Sequence, residues 1–298
     1  MNIKNRWEHI GERIRGNSQM LPHALDEKIN AIRNGEDTIA PILHSTELSS
    51  DTHSVPDQEE TWLPVSKNIY IPAPNVILRS ALFGVIKKGV RKYEKRVLKA
   101  TFNGYTVRYT GEQLDQSDLD VWLECLQRCQ STQLGHTVRF SSNDFLKSIN
   151  RNAGKSDHEW LKSVFLRLRT NDVEISDGRY TYMGSLIFEQ YRDEETGDNC
   201  LVLNPKIAAC FSDAGWTGMN KIIRIKLKGK PLTLWLFGFY SSHAKPLSIK
   251  VSTLKDLCGS ISTIKEFKRM LRKSLEELAF VSGWECRIGE DDLVYIKK

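Results

Sequence analysis

One order of elements can be read twice along this chain, and that repetition limits the fold more than composition does. In the first copy, Gln116–Cys129 carries Leu119, Trp122, Leu123, Leu126 and Cys129 at helical spacing. A short strand follows at 137–140, and then Ser141 and Ser142, which can cap a helix through Ile149. The turn 150–154 leads into a longer helix, 155–170, with Trp160, Leu161, Val164, Phe165 and Leu168 as its core stripe. Segments 173–175, 179–191 and 200–203 alternate like strands, joined by turns at Asp177-Gly178 and 195–198. The second copy keeps this order. An apolar helix at 232–240 precedes a strand at 247–251. Ser252 or Thr253 then caps a helix ending near Cys258-Gly259. The turn 259–262 opens a long helix, 263–281, and strands at 284–288 and 293–297 flank the turn 289–292.

Helix, strand, helix, turn, helix and a two-stranded wing is the order of a winged helix-turn-helix. The sequence therefore predicts an α+β fold of two tandem winged-helix domains, 65–218 and 219–298. An N-terminal extension, 1–64, comes before them. In it, Ile3, Trp7, Ile10 and Ile14 share one face of a short helix, and residues 40–64, rich in Ser, Thr, Asp and Pro, read as a linker.

Charge distribution points to a polyanionic partner. The chain carries a net +6, but from Lys221 to Lys273 there are 13 Lys and Arg against two acids, Asp256 and Glu266. A second basic run, Lys87, Lys88, Arg91, Lys92, Lys95, Arg96 and Lys99, is broken only by Glu94. In the long helix of the second copy, Ile264, Phe267, Leu271, Leu275 and Leu278 make a stripe that should face a core. Lys265, Lys268, Arg269 and Arg272 fall opposite it, with Lys273 near the edge, and Ser262 and Thr263 offer hydroxyls at the helix start. These six residues, 262, 263, 265, 268, 269 and 272, are the expected contacts to double-stranded DNA. In the first copy Lys155, Ser156, His158 and Lys162 are the corresponding candidates; Asp157 and Glu159 dilute their charge, so DNA binding and protein contact both stay open there. The wing tip, Glu290, Asp291 and Asp292, should repel phosphate.

Other chemistry lacks its residues. Gly154-Lys155-Ser156 has Ile149 where a phosphate-binding loop needs its first glycine. Asp115, Asp118 and Asp120 read as the charged start of a helix rather than as metal ligands. No His-x-His occurs for a nicking enzyme, and Ser242-His243 has no evident carboxylate partner. The six cysteines form no CxxC pair and read as reduced, buried thiols. No run approaches the roughly 18 apolar residues of a membrane span, and no signal-type segment opens the chain. No cofactor, metal, catalytic residue or membrane partner is expected, and the expected address is cytoplasmic.

Several segments in order resemble one family. Residues 75–85 (NVILRSALFGV), 109–114 (YTGEQL), 239–243 (FYSSH), 257–260 (LCGS) and 291–297 (DDLVYIK) are similar to the TrfA-type replication initiators of broad-host-range plasmids. The likeness runs from about Asn75 to the C-terminus. It implies two winged-helix domains that bind repeated sites, the iterons of a plasmid origin, promote opening of adjacent AT-rich DNA, and recruit the host replicative helicase with host initiator proteins. It also implies a homodimer in the DNA-free state. The clamp-binding Gln-Leu-x-Leu-Phe that members can carry is replaced at 58–64 by QEETWLP. A transcriptional repressor or autorepressor is the alternative; monomers on direct repeats would separate an initiator from a dimer on one palindrome.

Overall fold

The computed structural model describes residues 62–66, 69–86, 89, 91–102, 104–176, 181–196, 198–211 and 215–298. The expected short helices and linker of the N-terminal extension lie outside these, apart from 62–64, as does the turn at Asp177-Gly178.

The described chain begins with β1 (Tyr70–Pro74), a one-turn helix α1 (Asn75–Leu78) and β2 (Phe83–Gly84). A hairpin follows, β3 (Tyr93–Lys99) and β4 (Thr106–Glu112), then β5 (Leu114–Asp115), parallel to β2. Helix α2 (Gln116–Cys129) starts on a complete capping box. The Asp115 side chain accepts from the Ser117 and Asp118 amides, and Asp118 accepts from the Asp115 amide. Strand β6 (Val138–Ser141) ends at Ser141, which caps α3 (Ser142–Ser148) as the spacing predicts, and α4 (Lys155–Arg169) follows.

The segment expected as one strand at 179–191 is two, β8 (Thr181–Gly184) and β9 (Glu189–Arg192), because the chain changes sheet between them. Strand β7 (Asp172–Ser176) and β8 extend the β3–β4 hairpin into a four-stranded sheet, while β9 pairs with β10 (Asp198–Val202) and β10 with β6. A 3-10 helix, Pro205–Phe211, then leads to β11 (Trp216–Asn220) and α5 (Lys221–Lys226). Strand β11 pairs with β1, so it straddles the expected 218/219 boundary and ties the two halves together.

The second half contains α6 (Pro231–Ser241), β12 (Ile249–Lys250), α7 (Val251–Leu257), α8 (Ile264–Ser282), β13 (Glu285–Ile288) and β14 (Leu293–Lys297). Its sheet order, β12-β14-β13, matches β6-β10-β9 of the first half. In each half the short strand between the first two helices lies beside the last strand of the hairpin. The first half differs by the β7–β8 insertion. The N-cap of helix α7 is Lys250, two or three residues earlier than expected and without a side-chain hydrogen bond, so Ser252 and Thr253 lie inside its first turn.

Three of the family-like segments, 75–85, 239–243 and 257–260, form the joint between halves. The Val85 amide donates to the Cys258 carbonyl at 2.8 Å, and a Cβ on Gly259 (φ +70°) would rest 3.4 Å from the Ala81 Cβ. Trp235 stacks on Phe239 and donates from Nε1 to the Ser80 carbonyl at 3.2 Å. At the C-terminal end of α6, the Arg79 Nε donates to the Ser242 hydroxyl at 2.9 Å, and Lys298 donates to the His243 carbonyl at 2.6 Å. These cations meet the orphan carbonyls and the negative end of the helix dipole.

Two buried tyrosines make matching corners in the four-stranded sheet. The Tyr109 and Tyr182 hydroxyls each donate to a carbonyl three residues on, at Glu112 and Ser185, bridging Gly111 (φ +141°) and Gly184 (φ +151°). A Cβ on Gly111 would lie 2.8 Å from the Tyr109 hydroxyl oxygen. Gly111→Ala should therefore cost about 1–3 kcal/mol of unfolding free energy by urea titration, more than Gly229→Ala, where the space is open.

His243 is buried at the joint. Its Nδ1 lies 2.8 Å from the Phe239 carbonyl, to which it donates, and Nε2 meets no partner among the described residues. Burial lowers its pKa, opposed by that backbone hydrogen bond and aided by the nearby charges of Arg79 and Lys298. The unfolded chain takes up this proton near the usual value of about 6.5, whereas the folded chain does so only at lower pH. Stability should thus fall as pH drops below about 6.5, and His243→Asn should flatten that slope in pH-dependent thermal unfolding.

Candidate nucleic-acid interface

Helix α8 is set by its ends and its stripe. Thr263 and Glu266 form a capping box, with the Glu266 amide 3.3 Å from the Thr263 hydroxyl, and Gly283 (φ +76°) closes the helix in the left-handed region. Nineteen residues give a rod of about 28 Å. Phe267, Leu271, Leu275 and Leu278 are buried, as their spacing predicts. Ile264, expected in the same stripe, is half exposed, because it lies one turn beyond the edge of the core.

On the far side Lys265, Arg269 and Arg272, at i, i+4 and i+7, are exposed and form no ion pair with any described residue; Lys273, also exposed, lies further round. Lys268 differs. Its Nζ pairs with Asp292 at the wing tip, drawing that residue to the side of the helix and neutralising one of the tip acids. Asp291 is occupied as well, accepting from the Tyr295 hydroxyl at 2.7 Å and the Leu293 amide at 3.2 Å. The Tyr295 bond and then the amide bond pull the Asp291 carboxyl below its usual range. Arg287 covers the Tyr295 ring at 4.3 Å and braces the wing. Of the residues expected at the helix start, Ser262 is hydrogen-bonded to Ser260 at 3.0 Å, and Thr263 is used by the cap.

The first-half candidates are differently placed. Lys155 and Ser156 are exposed at the start of α4, but Lys162 is paired with Glu159 at 3.2 Å and His158 Nε2 lies 3.0 Å from the Asn143 carboxamide oxygen. Trp160 is only half buried, its ring covered by the Arg151 guanidinium at 3.4 Å while Arg151 also reaches Asp157 at 3.0 Å. Arg151, Lys228 and Lys230 line an open cleft of about 690 Å³ between α2, α4 and the turn before α6. Sequence reasoning did not single out this group, because its members come from separate segments.

Tertiary pairing consumes much of the linear charge. In the 221–273 run, Lys221 bonds Glu124 at 2.7 Å, Arg224 bonds Asp120 at 2.6 Å, and Lys230 pairs with Glu277. In the second run, Arg91 reaches Asp115 and Asp118, Arg96 reaches Glu174, and Lys99 reaches Glu94, while Lys87 and Lys88 lie outside the described residues. Asp115, Asp118 and Asp120 are thus three ion-pair acceptors, the first of them also the cap of α2, and among the described residues no group of His, Cys, Asp or Glu is placed to hold a metal ion. The Ser242 hydroxyl donates to the Phe239 carbonyl at 2.6 Å and accepts from Arg79, so it serves the helix end. Five cysteine thiols are buried and Cys286 is partly so; burial pushes the Cys210 thiol up to about 12. No described helix is long and apolar enough to cross a membrane.

A family model described as TrfA protein matches residues 63–298. The plasmid replication initiator protein TrfA of Escherichia coli is 25% identical over 235 residues; the match covers 76% of this chain and 61% of that protein's length. Among solved structures, domains 2 and 3 of RctB align with a TM-score of 0.53 at 11% identity, over 76% of this chain and 99% of that one, which shows a shared mixed α/β fold. The Pi initiator protein in complex with iteron DNA aligns with a TM-score of 0.47 at 11% identity, over 60% of this chain and 91% of that one.

The Lys268–Asp292 pair is partly exposed and thus weak, so a phosphate can compete for Lys268. Asp292→Asn should raise affinity for random-sequence duplex by about threefold at low salt and steepen the log–log salt dependence by up to roughly 0.9, one phosphate's worth. Fluorescence anisotropy across a salt series reads both; an unaltered slope would mean Lys268 reaches no phosphate.

Proposed function

We propose, from the premise that this chain belongs to the TrfA family, that it initiates plasmid replication by binding iterons in the double-stranded origin. It does so through two winged-helix domains, 65–218 and 219–298, with α8 as the principal base-reading helix and α4 as a lesser contributor. The observation that carries this reading is the exposed row Lys265, Arg269 and Arg272, without an ion-pair partner among the described residues and held outward by the buried Phe267, Leu271, Leu275 and Leu278 behind it. A helix of that width enters a major groove, where each Arg or Lys bonded to a guanine edge contributes about 1–3 kcal/mol of discrimination. Support for the tandem arrangement comes from the matching order of the two three-stranded sheets, each following its helices.

Mechanistically, Lys265, Arg269 and Arg272 read base edges while Ser262, Thr263 and Lys268 lie where the backbone passes the start of α8. Lys155, Ser156, His158 and Lys162 add phosphate contacts from α4. Two rigidly joined readers on neighbouring turns of DNA hold the site in register, and bound repeats recruit the host helicase and open the adjacent segment. The chain performs no covalent step itself. The DNA-free form is a homodimer.

The test uses the DNA flanking the gene. Footprinting should reveal evenly spaced direct repeats about two helical turns apart. Lys265→Ala/Arg269→Ala/Arg272→Ala should weaken binding to them at least about 100-fold, with an unchanged far-UV circular dichroism spectrum. Unaltered binding would overturn the assignment. A single protected palindrome bound by dimers would instead favour a repressor.

A further inference from the structure

Two isoleucines stand in water at the entry to α8. Ile261 is 86% exposed and Ile264 is 50% exposed. They flank Thr263, the residue that caps the helix. Single exposed apolar residues are ordinary on a protein surface, but around this pair the neighbouring hydroxyls are already engaged. The Ser260 and Ser262 hydroxyls bond each other, and the Thr263 hydroxyl is taken by Glu266. Beyond them stand the exposed Lys265 and Arg269, whose charge would draw the phosphate backbone to this end of the helix.

The edge of a base pair in the major groove carries one apolar group, the C5 methyl of thymine. Resting on the reading of α8 as the base-contacting helix, we infer that Ile261 and Ile264 form an apolar reader of thymine methyl groups beside the bases that Lys265 and Arg269 contact. Their burial would wait for DNA. The free protein leaves both side chains hydrated, and docking removes them and the methyl from water together. The helix would thereby select thymine by its methyl and neighbouring purines by hydrogen bonds, which makes the bound sequence depend on two kinds of contact.

The experiment starts from a random-sequence duplex pool, from which the full chain selects its preferred site. That duplex is then synthesised with deoxyuridine replacing each thymidine in turn, which deletes only the methyl. Wild-type protein should lose about three- to tenfold in affinity at one or two positions, the scale expected for one buried methyl group and its packing. Ile261→Ala/Ile264→Ala should lose a comparable factor on the thymine duplex and become indifferent to uracil at those same positions. Circular dichroism should be unchanged, since both side chains are exposed. Wild type indifferent to every uracil, or a double variant as uracil-sensitive as wild type, would overturn the inference while leaving base reading by α8 intact. If no sequence is enriched, or if Arg269→Ala binds the selected duplex as well as wild type does, base reading by α8 fails and this inference falls with it.

Discussion

Helix α2 and its N-cap carry four carboxylates, Asp115, Asp118, Asp120 and Glu124, and each is met by a cation from elsewhere in the chain. Arg91 reaches Asp115 and Asp118 from before β3, and Arg167 reaches Asp118 from α4 at 2.8 Å. Arg224 and Lys221 reach Asp120 and Glu124 from α5, and Arg128 within α2 also holds Glu124. Asp118 and Glu124 are buried. Burial pushes the Asp118 carboxyl upward, as does the neighbouring Asp115, while the Arg167 and Arg91 contacts work against that shift. Removing one partner of such a buried pair strands the other, at a cost of about 3–5 kcal/mol. The placement of α4 and of α5 therefore depends on α2, and so does the direction in which each half presents its outer face.

The segments that carry the family resemblance lie at the joint between halves, at the sheet corner and along the wing strand β14, not on the outer face of α8. Residues 81–85 pack on 257–259, Arg79 reaches Ser242, and Tyr109 bridges Gly111. Lys265, Arg269 and Arg272 belong to none of them. Such a division has a physical reason. Close backbone approach at Gly259 and positive φ at Gly111 tolerate few alternatives, whereas an exposed helix face tolerates many.

Legibility in the sequence followed the strength of local signals. Helix α2 and strand β14 lie where spacing predicts them, and α8 begins on Thr263 because a capping box and a regular stripe agree. Strands β3 and β4 were not legible as a hairpin. Strand β3 is a largely exposed edge with a bulge between Glu94 and Val97, so it lacks a clean alternation and reads as a run of charge. Strands β1 and β11 pair across roughly 150 residues, which no local pattern announces. The exposure of Ile264 was likewise hidden, since helical periodicity cannot tell where a core ends.

By itself the sequence determined the longer helices, the caps of α2 and α3, the repeated order of elements and the cationic side of α8, because these follow from periodicity and from neighbours within a few residues. Only the tertiary structure decided which charges stay free. Lys221, Arg224 and Lys268 look equivalent to Lys265, Arg269 and Arg272 along the chain, yet the first three are bound to acids on other elements. An ion pair forms by distance in space, over which sequence separation has no hold, so which cations of α8 stand exposed emerged only once the chain was packed.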